Sequence, residues 1–316
     1  MILSTQIPLE QEKHNLIDYH SNILLIGSCF SENIGNKLNH LKFKTYQNPF
    51  GILFHPKAIE NLLLQSINEK EYSEKDIFLL NERWHCFDTH SHLSSQNKEE
   101  LLNNLNQATH QTITSLKNAS HVIITLGTAW VYRKIAEDFI VANCHKVPQK
   151  NFLKEILTID EISESLGAII ALIKSINSKT SIIFTVSPVR HIKDGFVENQ
   201  RSKSHLLAAL HTIVTPRKGV FYFPSYEIMM DELRDYRFYA EDMIHPNQTA
   251  IDYIWEKFTS VWFNKNSFNT MREVESIQRG IQHRPFNPNS EAHQIFLKKL
   301  QQKKETLEKG FPSIKF

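Results

Sequence analysis

Four short runs in this chain are apolar nearly end to end: "NILLI" (22–26), "HVIITL" (121–126), "SIIFTV" (181–186) and "GVFYF" (219–223). A strand that is apolar on both faces must be covered on both faces, which is the pattern of a parallel sheet held between helices. Helix-period segments separate the runs. Phe30, Ile34, Leu38 and Leu41 share a face after the first run, and "IDEISESLGAIIALIKSI" (159–176) precedes the third. "RSKSHLLAALHTIV" (201–214) lies between the third and fourth, and "QTAIDYIWEKFTSVWF" (248–263) follows the fourth. The alternation predicts an α/β sandwich with a central parallel sheet of about five strands.

Residues 1–265 are expected to form this domain and 266–316 a helical extension packed on it. The segment 42–120 reads as a loop-rich insertion, because "YQNPFGILFHP" and "RWHCFDTHSHLSS" concentrate Asn, Pro, aromatics and His. The run "LKKLQQKKETLEKG" (297–310) reads as a solvated helix face.

Charge narrows the partners. With 36 basic and 34 acidic residues the net charge is +2, too little to draw in nucleic acid or an anionic membrane surface. Three widely spaced cysteines, Cys29, Cys86 and Cys144, argue against a disulfide framework and a zinc cluster. The first twenty residues lack a basic segment followed by an apolar run, and no apolar run approaches the roughly 20 residues of a membrane span. The expectation is a soluble cytoplasmic protein with no cofactor and no metal. The spacing of Asp88, His90 and His92 suits a shared strand face, but no second ligand cluster follows it.

The residues after each strand carry the chemistry, since open parallel sheets bind ligands at the carboxyl ends of their strands. They are Gly27-Ser28-Cys29, Gly127-Thr128-Ala129-Trp130, "SPVRH" (187–191) and "PSYE" (224–227). A nucleophile in the first turn of a helix faces free backbone N–H groups and the positive end of the helix dipole. Counted from Gly27, the third position is Cys29, while Ser28 on the turn suits a helix N-cap. Asp242 three residues before His245 can orient the imidazole and stabilise its cationic form. Cys144 beside His145 reads as an ordered loop, and Arg190, His191 and Lys203 read as either an anion site or solvated charges.

The motifs "IGSCFSENIG", "NPFGILFHP", "TLGTAWVY", "NCHK", "SPVRH", "DMIHPN" and "HRPFNP" together resemble the GSCFA family, whose layout is similar to SGNH/GDSL hydrolases. The resemblance implies an SGNH-hydrolase-like three-layer sandwich and a hydrolase or acyltransferase acting on an ester, thioester or related acyl group. It places the nucleophile on Cys29, where the SGNH pattern has the Ser of Gly-Asp-Ser, and the last block on Asp242 and His245. Gly127-Thr128-Ala129 lacks the asparagine of the SGNH third block. Asn48 and the backbone of Gly51, with Thr128, are then candidate oxyanion donors beside the N–H of Cys29. Gly127, Trp130 and Arg190 complete the expected substrate-binding set. Phe50, Trp84, Trp130 and Tyr132 suit a sugar face or an acyl pocket, so a small-molecule or glycan acyl substrate is expected. The alternative is a binding module that keeps the pocket without catalysis.

Overall fold

A computed structural model describes residues 5–316, so the first four residues of the expected first domain lie outside it. In chain order the elements begin with β1 (Asn22–Gly27), α1 (Cys29–His40), β2 (Lys44–Gln47), α2 (Pro56–Ile67), β3 (Ile77–Leu80), β4 (Arg83–Cys86) and α3 (Lys98–Asn118). Next come β5 (His121–Leu126), β6 (Trp130–Lys134), β7 (Phe139–Val141), β8 (Phe152–Ile156) and α4 (Ile159–Ile176). The chain continues with β9 (Ser181–Val186), α5 (Phe196–Ile213), β10 (Val220–Tyr222) and the single turn α6 (Ser225–Glu227). It closes with α7 (Gln248–Trp262), α8 (Ser267–Gln282) and α9 (Glu291–Gly310).

The central sheet has five strands in the order β2-β1-β5-β9-β10, and every neighbouring pair is parallel. The expected α/β sandwich with a central parallel sheet is therefore the observed architecture. Alternate side chains of each strand feed two separate cores. Leu24, Ile26, Ile124 and Phe184 pack with α2, α3, α4 and α5 on one face, while Ile23, Leu25, Ile123 and Ile183 pack with α1, α7 and α8 on the other. This double coverage is why β1, β5 and β9 are apolar nearly end to end. The strand order reverses direction between β1 and β5, so the crevice at that point lies beside the residues that follow both strands.

Two small antiparallel units sit outside the sheet. β3 and β4 form a hairpin whose turn residues, Asn81 and Glu82, both hold positive φ (48° and 59°). β7, β6 and β8 form a three-stranded sheet immediately after β5. Between the loops of the inserted region lie two further helices, α2 and the 21-residue α3. In the tail, α8 buries Met271, Val274 and Ile277, whereas α9 buries only Leu307 and leaves its charged run in solvent. Among the described residues no helix is long and apolar enough to cross a membrane.

Candidate active site

The turn from β1 into α1 depends on a glycine. Gly27 has φ +138°, and a Cβ there would stand 2.1 Å from the Thr125 carbonyl oxygen of β5. Only a residue without a side chain can pass so close to the neighbouring strand. Ser31, one turn into α1, donates to Thr125 Oγ1 (2.7 Å) and to the Ile26 carbonyl (3.3 Å), which fixes the helix start on the sheet edge. Cys29 is thereby held at the first helical position, above the β1/β5 crevice.

Ser28 and Cys29 occupy different environments. Ser28 is fully buried, and its Oγ caps α1 by accepting the Phe30 N–H at 3.4 Å. Cys29 keeps solvent contact. Ser28→Ala is expected to lower unfolding stability by about 1 kcal/mol, the usual size of a lost N-cap, while the alkylation rate of Cys29 stays unchanged. Urea unfolding and thiol-labelling kinetics on the same variant check both halves.

The helix start does not by itself make Cys29 a thiolate. Burial pushes the thiol up, and the Glu32 carboxylate pushes it the same way. Lys203 and the backbone N–H groups of Cys29 and Phe30 pull down, but the net direction is up. The positive end of the helix dipole alone would lower the thiol, but desolvation and a carboxylate one turn along the helix outweigh it. The thiol therefore needs a base to lose its proton near neutral pH.

Asp242 and His245 meet as their spacing suggests. Asp242 Oδ2 lies 2.7 Å from His245 Nδ1, and Oδ1 accepts the backbone N–H groups of Ile244 (2.9 Å) and His245 (3.0 Å). These bonds hold the Asp242 carboxyl down at about 2, so it stays ionised beside the ring. With Nδ1 engaged, Nε2 is the nitrogen left to exchange a proton. Arg190 braces this loop. Its backbone N–H donates to the Ile244 carbonyl (3.2 Å), Nη1 donates to the Met243 carbonyl (3.4 Å), and the guanidinium lies 4.0 Å over the Tyr239 ring.

Several expected donors are already engaged. The N–H of Gly51 donates to the Asn48 carbonyl (2.8 Å), and those of Gly127 and Thr128 both donate to the Phe54 carbonyl (2.7 and 3.0 Å). Thr128 Oγ1 bonds Ser202 Oγ at 3.0 Å and accepts the Trp130 N–H, also at 3.0 Å. Asn48 is better placed. Its Oδ1 accepts the Gly27 N–H (2.9 Å), which turns its amide nitrogen toward Glu32, 3.5 Å away. The backbone N–H groups of Cys29 and Phe30 pull the thiol down, and that of Phe30 is shared with Ser28 Oγ.

The other motifs lie apart from this chemistry. His145 Nε2 is 2.7 Å from the Cys86 carbonyl and Nδ1 is 3.3 Å from Ser91 Oγ, so its ring is committed away from Cys144. Asp88 accepts from Asn61 (3.0 Å) and Tyr72 (3.2 Å). Phe50 is a core residue, whereas Trp130 and Tyr132 line a cavity beside the crevice.

The GSCFA family model matches residues 22–258, from β1 into α7, and so spans Cys29, Asp242 and His245. The chain belongs to the GSCFA family. A model described as the GSCFA domain protein C-terminal domain matches residues 274–316. No curated protein matches this GSCFA chain. Two solved structures are similar to it, a carbohydrate esterase family 3 protein from Talaromyces cellulolyticus and a mutant acetyl esterase with acetate ion. Each is 7% identical, covers 81% of this chain and 99% of its own, and gives a TM-score of 0.37. Likeness at that level says nothing about the chemistry of this GSCFA protein.

Lys203 and His191, read as either an anion site or solvated charges, turn out to be neither. Lys203 is fully buried, with Nζ donating to the carbonyls of Gly127 (2.7 Å) and Ser187 (2.8 Å) at the ends of β5 and β9. It is not a solvated charge. Its place was legible in the spacing, since Asn199, Ser202, Lys203, Leu206 and Leu210 form the buried stripe of α5. Burial holds the ammonium down at about 7, and Cys29 is the group that draws it back up. His191 is also largely shielded. Desolvation and the neighbouring Lys203 hold it down at about 3, so it is a neutral imidazole and not an anion-binding cation. Glu32 escapes a reading of the sequence, because its effect on the thiol depends on distance across a helix turn.

Proposed function

We propose that this GSCFA protein is an acyl hydrolase or acyltransferase that works through a thioester on Cys29. The observation that carries the reading is the contrast within the adjacent pair: Ser28 is buried as a helix cap, and Cys29 is reachable at the first position of α1. The Cys29 sulfur attacks the acyl carbonyl while its proton passes to Nε2 of His245. The N–H groups of Cys29 and Phe30, with the Asn48 amide, stabilise the tetrahedral oxyanion. Collapse expels the alcohol or thiol, which takes the proton back from His245. Water or an acceptor hydroxyl then attacks the thioester, His245 accepts its proton, and Cys29 is released. Asp242 stays ionised throughout and steadies the imidazolium. Lys203, which pulls the thiol down, offsets the negative charge of the sulfur.

Three unpaired cysteines fit a reducing compartment such as the cytoplasm. A panel of small acyl esters, acyl thioesters and acetylated sugars, assayed with the wild type and Cys29→Ala, tests the proposal. Turnover of at least one class that Cys29→Ala loses supports it, and turnover equal in both proteins overturns it. The upward push on the thiol favours the second reading, a binding module, for which no member of the panel turns over.

A further inference from the structure

We propose that the cavity beside the crevice, walled by Trp130, Tyr132 and three lysines, binds a negatively charged sugar ring as the alcohol half of the acyl substrate. The inference rests on the acyl-transfer reading and adds the class of substrate. The cavity has a volume of about 480 Å³, within the range of roughly 300–1,000 Å³ typical of small-molecule sites. It lies between the β6–β8 sheet, the loop at 143–149 and the segment after β9, and it shares Thr128 and His191 with the crevice. Cys29 itself does not line it; the link is His191, beside Gly127, whose carbonyl accepts from the Lys203 ammonium that Cys29 influences.

Three features set the ligand chemistry. The first is charge. Lys146, Lys154 and Lys193 line the cavity against one carboxylate, Asp194, which pairs with Lys154. Because His191 is neutral, the walls carry an excess of two positive charges. The second is an aromatic wall beside polar groups. The Lys154 ammonium stands 4.8 Å over the Trp130 ring and 5.8 Å over Tyr132, with Asn143 and Gln149 across the cavity. The third is a waiting partner. His191 Nε2 is buried beside Gly127 and has no hydrogen-bond partner, which is unusual for a buried polar atom.

A fatty acyl chain would leave His191 Nε2 without a partner and offer nothing to the lysines. A pyranose bearing a carboxylate or phosphate meets each feature. Its apolar face packs on the aromatic wall, a hydroxyl reaches His191 Nε2, and its anionic group pairs with the lysines.

Titration of Cys29→Ala protein, which binds without turnover, tests the inference. The ligands are methyl glucuronoside, glucose 6-phosphate and methyl glucoside, followed by calorimetry. Saturable binding of a charged sugar is expected, with the neutral sugar at least about tenfold weaker, the size of one lost charge-assisted contact. The tighter of the two charged ligands identifies carboxylate or phosphate as the natural group. Adding Lys154→Met and Lys193→Met should weaken the charged ligand by about tenfold or more. Equal binding of neutral and charged sugars, or no saturation by either charged sugar, overturns the proposal without reference to any lysine variant. Cys29-dependent turnover of a neutral acyl ester without charged-sugar binding would sink this inference alone. Charged-sugar binding without any acyl turnover would sink the acyl chemistry and keep the cavity as a sugar site.

Discussion

Cys29→Ala is expected to lower kcat/KM for acyl turnover by about 10⁴-fold or more, the scale seen when the nucleophile of a catalytic triad is removed. What remains would be the contribution of oxyanion donors and binding, because the N–H groups of Cys29 and Phe30 belong to the backbone and survive the substitution. Cys29→Ser should keep a slower activity, since a hydroxyl at the same helical position depends more heavily on the base than a thiol does. Ser28→Ala should leave kcat/KM within a few-fold of wild type, because the Ser28 hydroxyl is buried against α1 and caps it. Steady-state kinetics on a short-chain p-nitrophenyl ester compare all three. The opposite order, with Ser28→Ala inactive and Cys29→Ala intact, would move the nucleophile to the buried serine.

Lys203→Met should remove a pH dependence of stability and slow Cys29 alkylation. In the folded chain Lys203 titrates at about 7, against 10.5 for an ordinary lysine. Between those values the unfolded chain holds a proton that the folded chain has released. Stability therefore rises with pH across that window and is flat below it. From pH 7 to pH 9 the rise is of order 2–3 kcal/mol, at about 1.4 kcal/mol per unit. Lys203→Met loses that rise. It also leaves the buried carbonyls of Gly127 and Ser187 without their donor, a cost of about 1–3 kcal/mol each. Urea unfolding of both proteins at pH 7, 8 and 9 measures the difference, and a gap independent of pH would contradict the account. Lys203 pulls the thiol down, so its loss should slow alkylation at pH 7 several-fold, and Glu32→Gln should speed it.

The sheet was legible in the sequence because β1, β5 and β9 are covered on both faces and so are apolar nearly end to end. The helix α3 was not. Three of its seven buried residues are Ala108, Thr109 and Thr112, and the two threonine hydroxyls satisfy themselves on carbonyls one turn back. The positions of Cys29, Asp242 and His245 followed from local spacing, which a turn and a helix start can enforce. The oxyanion donors did not follow from spacing. The Phe54 carbonyl folds back over Gly127 and Thr128, a contact between residues more than seventy positions apart. The direction of the thiol shift escaped for the same reason, because it sums burial with Glu32, Lys203 and two backbone N–H groups.

The central claim is that Cys29 is a nucleophile served by His245, and site-mapped labelling with a fluorophosphonate and with iodoacetamide tests it most directly. The account predicts modification on Cys29 in the wild type, absent from Ser28, and strongly slowed in His245→Ala protein that unfolds at the same urea concentration as wild type. Labelling of Cys29 at equal rates with and without His245, or modification mapped to Ser28, would contradict it.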